Sequence, residues 1–130
     1  GGDGLHVQVP VARRHSHADA RRFAEVVAGA LVRAGRGLVT TERSAARRRG
    51  VFVDTKMNGH GQQVVAPYSV RPREVPAVAT PLRWEEIDER LDPRALTLDV
   101  VVRRVERDGD LFAGVLGGRQ RLARALGVRP

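Results

Sequence analysis

Apolar and polar positions change period several times along this chain, and each change marks an element. Leu5, Val7 and Val9 alternate with His6 and Gln8, so Gly4 to Val9 is expected to form a strand. From Ser16 the period lengthens. Phe23, Val26, Val27, Ala30 and Leu31 recur at helical spacing, Ser16 with Asp19 three residues on reads as an N-cap, and Gly35 and Gly37 close the helix. Two apolar runs follow a basic connector at Arg43 to Arg49: Val51-Phe52-Val53, ending in Asp54, and Val64 to Val70, ending in Arg71. Asn58, Gly59 and Gly61 lie between them, and that pattern predicts a hairpin. Pro72 to Pro81 reads as a proline-punctuated extended stretch that cannot be a central strand. A short helix is expected near Arg83 or Trp84. Asp92-Pro93 breaks the chain, Thr97 caps a second helix carrying Val101, Val102 and Val105, and Gly109 stops it; Gln120 to Leu126 suits a last short helix. The chain contains no repeats and no convincing domain boundary, and it reads as mixed α/β (α+β) with an antiparallel hairpin.

Composition sharpens that picture. The length of 130 residues suits one small domain or part of a larger one. Apolar residues make up 42% but aromatics only 4%, so the core must be built from Val, Ala and Leu. The net charge of +8 is carried almost wholly by arginine, Lys56 being the single lysine. Arginine's planar fork binds phosphate in two places at once, which points to an acidic polymer as partner. A GC-rich genome also produces an Ala, Val, Gly and Arg-rich chain, whatever its function. Zero cysteines exclude a disulfide framework and a thiolate metal site and fit a cytosolic protein. The longest apolar runs fall far short of the ~20 residues that span a bilayer, so no membrane partner is expected.

Candidate chemistry gathers where the apolar runs end. Asp54 leaves one run and Arg71 the other, and a sheet presenting a carboxylate near guanidinium groups suits a metal ion held against phosphate. An acid in that place also commonly just starts a turn. His6 sits opposite Leu5 and Val7, beside glycines such as Gly4 that let a ligand approach the backbone, or it simply caps a strand edge. Arg71 and Arg73 project from one face of an extended segment, as phosphate ligands or as a solvated pair. Asn58 either bonds phosphate or shapes its turn, and Tyr68 and Ser69 either support a site or, for Tyr68, fill the core. Arg47, Arg48 and Arg49 are a solvated connector or a DNA-backbone contact. His15-Ser16-His17-Ala18-Asp19 has the spacing of a binuclear zinc hydrolase. Those sites need a further histidine after the aspartate, where this chain has Ala20, and Ser16 and Asp19 are explained more simply as helix-start signals.

Several segments, in order, resemble the archaeo-eukaryotic primase superfamily, and specifically the polymerase domain of bacterial ATP-dependent DNA ligase D. They are Gly1 to Pro10, Val51 to Asp54 with Asn58, Ala66-Pro67-Tyr68-Ser69-Val70-Arg71-Pro72-Arg73, Thr80-Pro81-Leu82, Trp84-Glu85-Glu86-Ile87 and Arg107-Asp108-Gly109-Asp110. The resemblance spans roughly residues 1–111, leaving 112–130 as a terminal extension. It implies part of an RRM-like primase-polymerase fold. It further implies transfer of a nucleotide from a nucleoside triphosphate to a primer 3′-hydroxyl during double-strand break repair by end joining, in a bacterial, cytoplasmic, nucleoid-associated setting.

The resemblance also assigns roles. Asp54 becomes a ligand of Mn²⁺ or Mg²⁺, His6 and Arg71 become phosphate binders, and Gly4, Asn58, Ser69 and Arg73 accompany them. DNA ends or a template-primer become partners, with ligase and nuclease domains of the same repair enzyme possible neighbours. The family's Asp-x-Asp motif lies upstream of the strand at which this chain begins. The chain is therefore expected to be the C-terminal portion of such a domain and inactive alone, with a non-catalytic nucleic-acid-binding relic as the alternative. Thr55 stands where relatives carry an aromatic. If Gly4 to Val9 and Val51 to Arg71 share a sheet, His6, Asp54 and Arg71 should open onto one face, and apolar surface should be left uncovered.

Overall fold

A computed structural model describes residues 4–72 and 74–122. The chain divides into two compact units, one formed by Gly1–Pro10 and Val65–Gly118, the other by Val11–Val64 and Arg119–Pro130. Arg73 and residues 123–130 lie outside the described residues, and with them most of the helix expected at Gln120 to Leu126.

The second unit is built on helix α1, His17–Ala34. Its start is the one the sequence encodes. Asp19 N–H donates to Ser16 Oγ at 3.1 Å and Ser16 N–H donates to Asp19 Oδ2 at 2.9 Å, so each satisfies a donor the other would leave exposed. The helix closes at Gly35, whose N–H donates to the Leu31 carbonyl. Ala28 is the buried residue of its inner face.

Two short strands follow, β1 (Val39–Thr40) and β2 (Val51–Phe52), and they run parallel, with Val39 opposite Val51 and Thr40 opposite Phe52. This corrects the hairpin expected between Val51 and Arg71: β2 turns its hydrogen bonds to the strand before it, not to the run after it. The physical reason lies in the connector. Glu42 N–H donates to Thr40 Oγ1, and the Glu42 carboxylate accepts Ser44 N–H at 2.8 Å and two Arg47 bonds, which folds residues 41–49 back along β1. Gly50 then adopts a φ of +76°, with its backbone so near the Leu38 carbonyl that a Cβ would lie 2.3 Å from that oxygen. Val51 N–H reaches the same carbonyl at 2.7 Å. The Asn-Gly segment makes a single 3₁₀ turn at Lys56–Asn58 and not a hairpin loop. In place of the expected helix start, Gln120 forms a parallel bridge with Val11, and Leu122 is buried.

The first unit holds β3 (Val70–Arg71) and β4 (Ala77–Val78), which are antiparallel with Val70 opposite Val78 and Arg71 opposite Ala77. An antiparallel hairpin is thus present, displaced along the chain from its expected place. Ala77 also bridges Thr97, and Val78 N–H donates to the Leu96 carbonyl at 2.8 Å. β4 is therefore hydrogen-bonded on both sides and buried, against the expectation that the proline-rich stretch holds no central strand. Pro72, Pro76 and Pro81 flank the paired residues, so none removes a ladder donor.

Helix α2 (Leu98–Asp108) packs Val101 into this core and ends at Gly109, whose φ is +73°. A single turn at Trp84–Glu86 replaces the helix expected there, another follows at Pro93–Ala95, and a short α3 (Ala113–Gly117), not foreseen, comes after α2. Gly4 to Val9 forms no ladder among the described residues, contrary to the strand expected. Leu5, Val7 and Val9 are exposed, with Val7 at 68%.

Candidate functional site

The residues singled out in the sequence divide between the two units. Asp54, Asn58 and Arg47 to Arg49 belong to the second; Gly4, His6, Ser69 and Arg71 belong to the first.

In the second unit the chain leaves β2 into a turn that Asp54 itself shapes, its Oδ1 accepting the Lys56 N–H at 2.9 Å. The carboxylate is exposed and borders a cavity of about 350 Å³ together with Glu25 and Gly29 of α1, Thr41, Arg43 and Thr55. Asn58 is committed to the same turn, donating from Nδ2 to the Thr55 carbonyl at 3.1 Å, which favours its turn-shaping reading. His60 meets His17 edge to face, with ring centroids 5.3 Å apart, and so ties the turn to the start of α1.

The three arginines of the connector hold their own loop. Arg47 pairs with Glu42 at 3.2 Å, and this pairing, after the Ser44 N–H, keeps the Glu42 carboxyl below its ordinary range. Arg48 donates to the carbonyls of Glu42 and Arg43 and lies 3.9 Å over the Phe52 ring, a cation–π contact that anchors β2. Arg49 donates to the Arg48 carbonyl at 3.0 Å. The Arg47 side chain is still 75% exposed.

In the first unit His6 and Gly4 are exposed. Ser69 and Arg71 stand two residues apart at the entry to β3, on one side of the strand. What sets their direction is the turn before them. Ser69 N–H returns to the Ala66 carbonyl at 3.2 Å, with Pro67 second and Tyr68 third in the turn. Tyr68 has a φ of +63°. A turn with proline second and positive φ third ordinarily takes glycine there, and an L-residue in that conformation costs of order 1–2 kcal/mol.

The tyrosine is held in place by its far end. Tyr68 Oη donates to Asp110 Oδ1 at 2.7 Å. Burial first, and the neighbouring Asp110 second, push the phenol above its ordinary value, while that same hydrogen bond holds the Asp110 carboxyl low.

Two further acids of the matched segments tie α2 to the rest of the unit. Glu86 accepts Arg104 Nη2 at 2.5 Å, which lowers its pKa, and Asp108 is held down to about 2, chiefly by Arg107 and also by Arg83. Neither Asp110 nor Glu86 stood out in the sequence as a partner of anything. The available signal was the tyrosine in a glycine's position.

The donor set does not fit a two-ion centre. One oxygen of Asp54 already accepts a backbone N–H, and among the described residues no three His, Asp or Glu side chains come together as ligands.

A parallel β1–β2 pair preceded by a capped helix, with an acid after it, and an antiparallel β3–β4 pair in the other unit make a mixed α/β chain. Residues 1–112 match the family model described as LigD, primase-polymerase domain, and the chain belongs to that family. It is 41% identical over 115 residues to the multifunctional non-homologous end joining protein LigD of Mycobacterium bovis, covering 86% of this chain and 15% of that protein. It is 30% identical over 114 residues to the bifunctional LigD of Bacillus subtilis, covering 86% and 19%. Among solved structures it resembles the polymerase domain of Mycobacterium tuberculosis ligase D in complex with DNA, at a TM-score of 0.72 and 36% identity, over 81% of this chain and 37% of that one. The chain thus spans less than a fifth of these curated relatives. No helix among the described residues is long and apolar enough to cross a membrane.

Proposed function

We propose that this chain carries the phosphate-handling part of a primase-type nucleotidyl transfer in end-joining DNA repair. The parent reaction moves a nucleotide from a nucleoside triphosphate to a primer 3′-hydroxyl and releases pyrophosphate. What supports the reading most is the family match across residues 1–112, with Ser69 and Arg71 at the entry to a strand. In this reading His6 and Arg71 bind the triphosphate, and Gly4, Ser69 and Arg73 serve the same ligand. Arg47, Arg48 and Arg49 meet the DNA backbone, and Asp54 contributes one carboxylate toward Mn²⁺ or Mg²⁺. Asn58 shapes the turn that presents Asp54.

Among the described residues no three carboxylate or imidazole side chains gather as ligands, and in this reading the chain binds without turning over. A gapped template-primer, Mn²⁺ and labelled nucleotide make the assay. No extension above that of Asp54→Ala is expected, and extension that depends on Asp54 would overturn the reading.

DNA binding rests on arginine and is expected to survive. It should be weak, indifferent to sequence and steeply weakened by salt through counterion release. Replacing Arg47, Arg48 and Arg49 together with Ala should lower both affinity and salt slope, whereas an unchanged slope would move the contact surface elsewhere.

A further inference from the structure

The turn at Ala66 to Ser69 spends a tyrosine where glycine is the unstrained choice, and such a conformation persists only where the surroundings over-determine it. Here three contacts do so. Tyr68 N–H donates to the Ala79 carbonyl at 2.7 Å. Its hydroxyl donates to Asp110 Oδ1, which also accepts the Phe112 N–H at 2.8 Å and is thereby fixed in direction. Its ring borders a crevice with Pro81, Val101, Val105 and Leu111 that has no room for a water molecule. The turn before β3 is thus bolted to the segment that follows α2, 42 residues away in sequence.

We propose that Tyr68 is a positioning residue, whose hydroxyl, through Asp110, fixes the turn that aims Ser69 and Arg71 at a bound triphosphate. This rests on the phosphate role assigned above to Arg71. The geometry favours it over a purely structural role, because a scaffold alone would be served by glycine in the turn and an apolar residue in the crevice. The tyrosine instead couples the direction of β3 to a fixed carboxylate. β3 begins two residues beyond the turn, and Ala79 N–H donates to the Ser69 carbonyl at 2.9 Å, so a rotation at Tyr68 is carried directly into the strand.

The test uses the whole chain and inorganic triphosphate as probe, with Tyr68→Phe, Asp110→Asn, Arg71→Ala and the Tyr68→Phe/Arg71→Ala double variant. Tyr68→Phe should weaken triphosphate binding about tenfold with an unchanged circular dichroism spectrum, and Asp110→Asn, which keeps the acceptor without its charge, should weaken it less. In the Arg71→Ala background Tyr68→Phe should cost nothing further, because the two act as one unit. An equal loss in both backgrounds, or no loss in either, overturns the proposal.

Amide exchange separates its failure from that of the phosphate reading. Normal triphosphate binding by Arg71→Ala overturns the phosphate role and the positioning role that rests on it, whereas weakened binding by Arg71→Ala without faster exchange at Val70 and Arg71 in Tyr68→Phe overturns the positioning role alone. Equally faster exchange at Val101 marks a structural brace and overturns the positioning role.

Discussion

In the unit that holds β3 and β4, polar contacts reach across long stretches of chain: Tyr68 to Asp110, Arg104 to Glu86, Arg83 to Asp108. In the unit built on α1 they are nearly all local. Ser16 caps with Asp19, Arg21 pairs with Glu25, and Glu42 gathers Ser44 and Arg47; among the described residues the longer reaches include Leu122 N–H, which donates to His15 Nε2, and the edge-to-face meeting of His60 with His17. There the distant joins are made chiefly by backbone, through the parallel β1–β2 pair and the bridge from Val11 to Gln120. Both units bury few side chains among the described residues, Ala28 and Leu122 in one and Ala77, Val78 and Val101 in the other. With so little apolar burial, each depends on a second device, and the devices fail under different stresses.

The largest effect should come from the backbone device. Gly50→Ala puts a Cβ 2.3 Å from the Leu38 carbonyl at a φ of +76°, so β2 must leave β1 or the turn must rebuild. A loss of about 3 kcal/mol is expected in the α1 unit, with amide protection at Val51 and Val53 collapsing while Val101 keeps its own. Loss at Val101 of the same size would mean that the two units unfold together.

Glu86→Ala attacks the other device. It strands Arg104, whose Nε already lacks a partner, and should cost about 2 kcal/mol, read as loss of protection in α2 with the α1 helix unaffected.

Acid should reproduce that pattern more gently. Asp108, with a folded value of about 2 against an ordinary 3.8, and Glu86 and Asp110, also lowered, stabilise fully above their unfolded values and lose that contribution as pH falls through their folded ones. Between about pH 4 and pH 2, α2 should therefore lose protection before β1 and β2 do. Asp19 and Glu42 are lowered too, but their bonds are local, to the start of α1 and to the connector before β2, so simultaneous melting of both units would contradict the contrast.

The smallest effect should be that of Arg47→Ala, an exposed pair worth under about 0.5 kcal/mol. It should change thermal stability barely at all while flattening the salt dependence of DNA binding.

Local signals were legible in the sequence and distant ones were not. The Ser16–Asp19 cap, the end of α1 at Gly35 and the stop of α2 at Gly109 are each decided by residues within a turn of one another, and each lies where the pattern put it. Partner choice is different. Val51 to Val53 has the period of a strand whichever neighbour it takes, and only the fold of residues 41–50 decides for Val39. Prolines correctly marked the ends of β4 but concealed the paired residues between them. Of the candidate site, the exit of β2 at Asp54 and the strand at Arg71 were readable. The Tyr68–Asp110 bond was not, because nothing in a one-dimensional pattern joins residues 42 apart.

β4 has both of its edges occupied, by β3 on one side and by Leu96 and Thr97 on the other. Among the described residues β3 forms one edge of this sheet. That edge is two residues long, carries the charge of Arg71 and runs straight into Pro72, which has no N–H to offer. The same arginine proposed to bind phosphate thus puts a charge on the edge strand, where charge disfavours edge-to-edge aggregation. Replacing it with an apolar residue should make the protein less soluble even where no nucleotide is present.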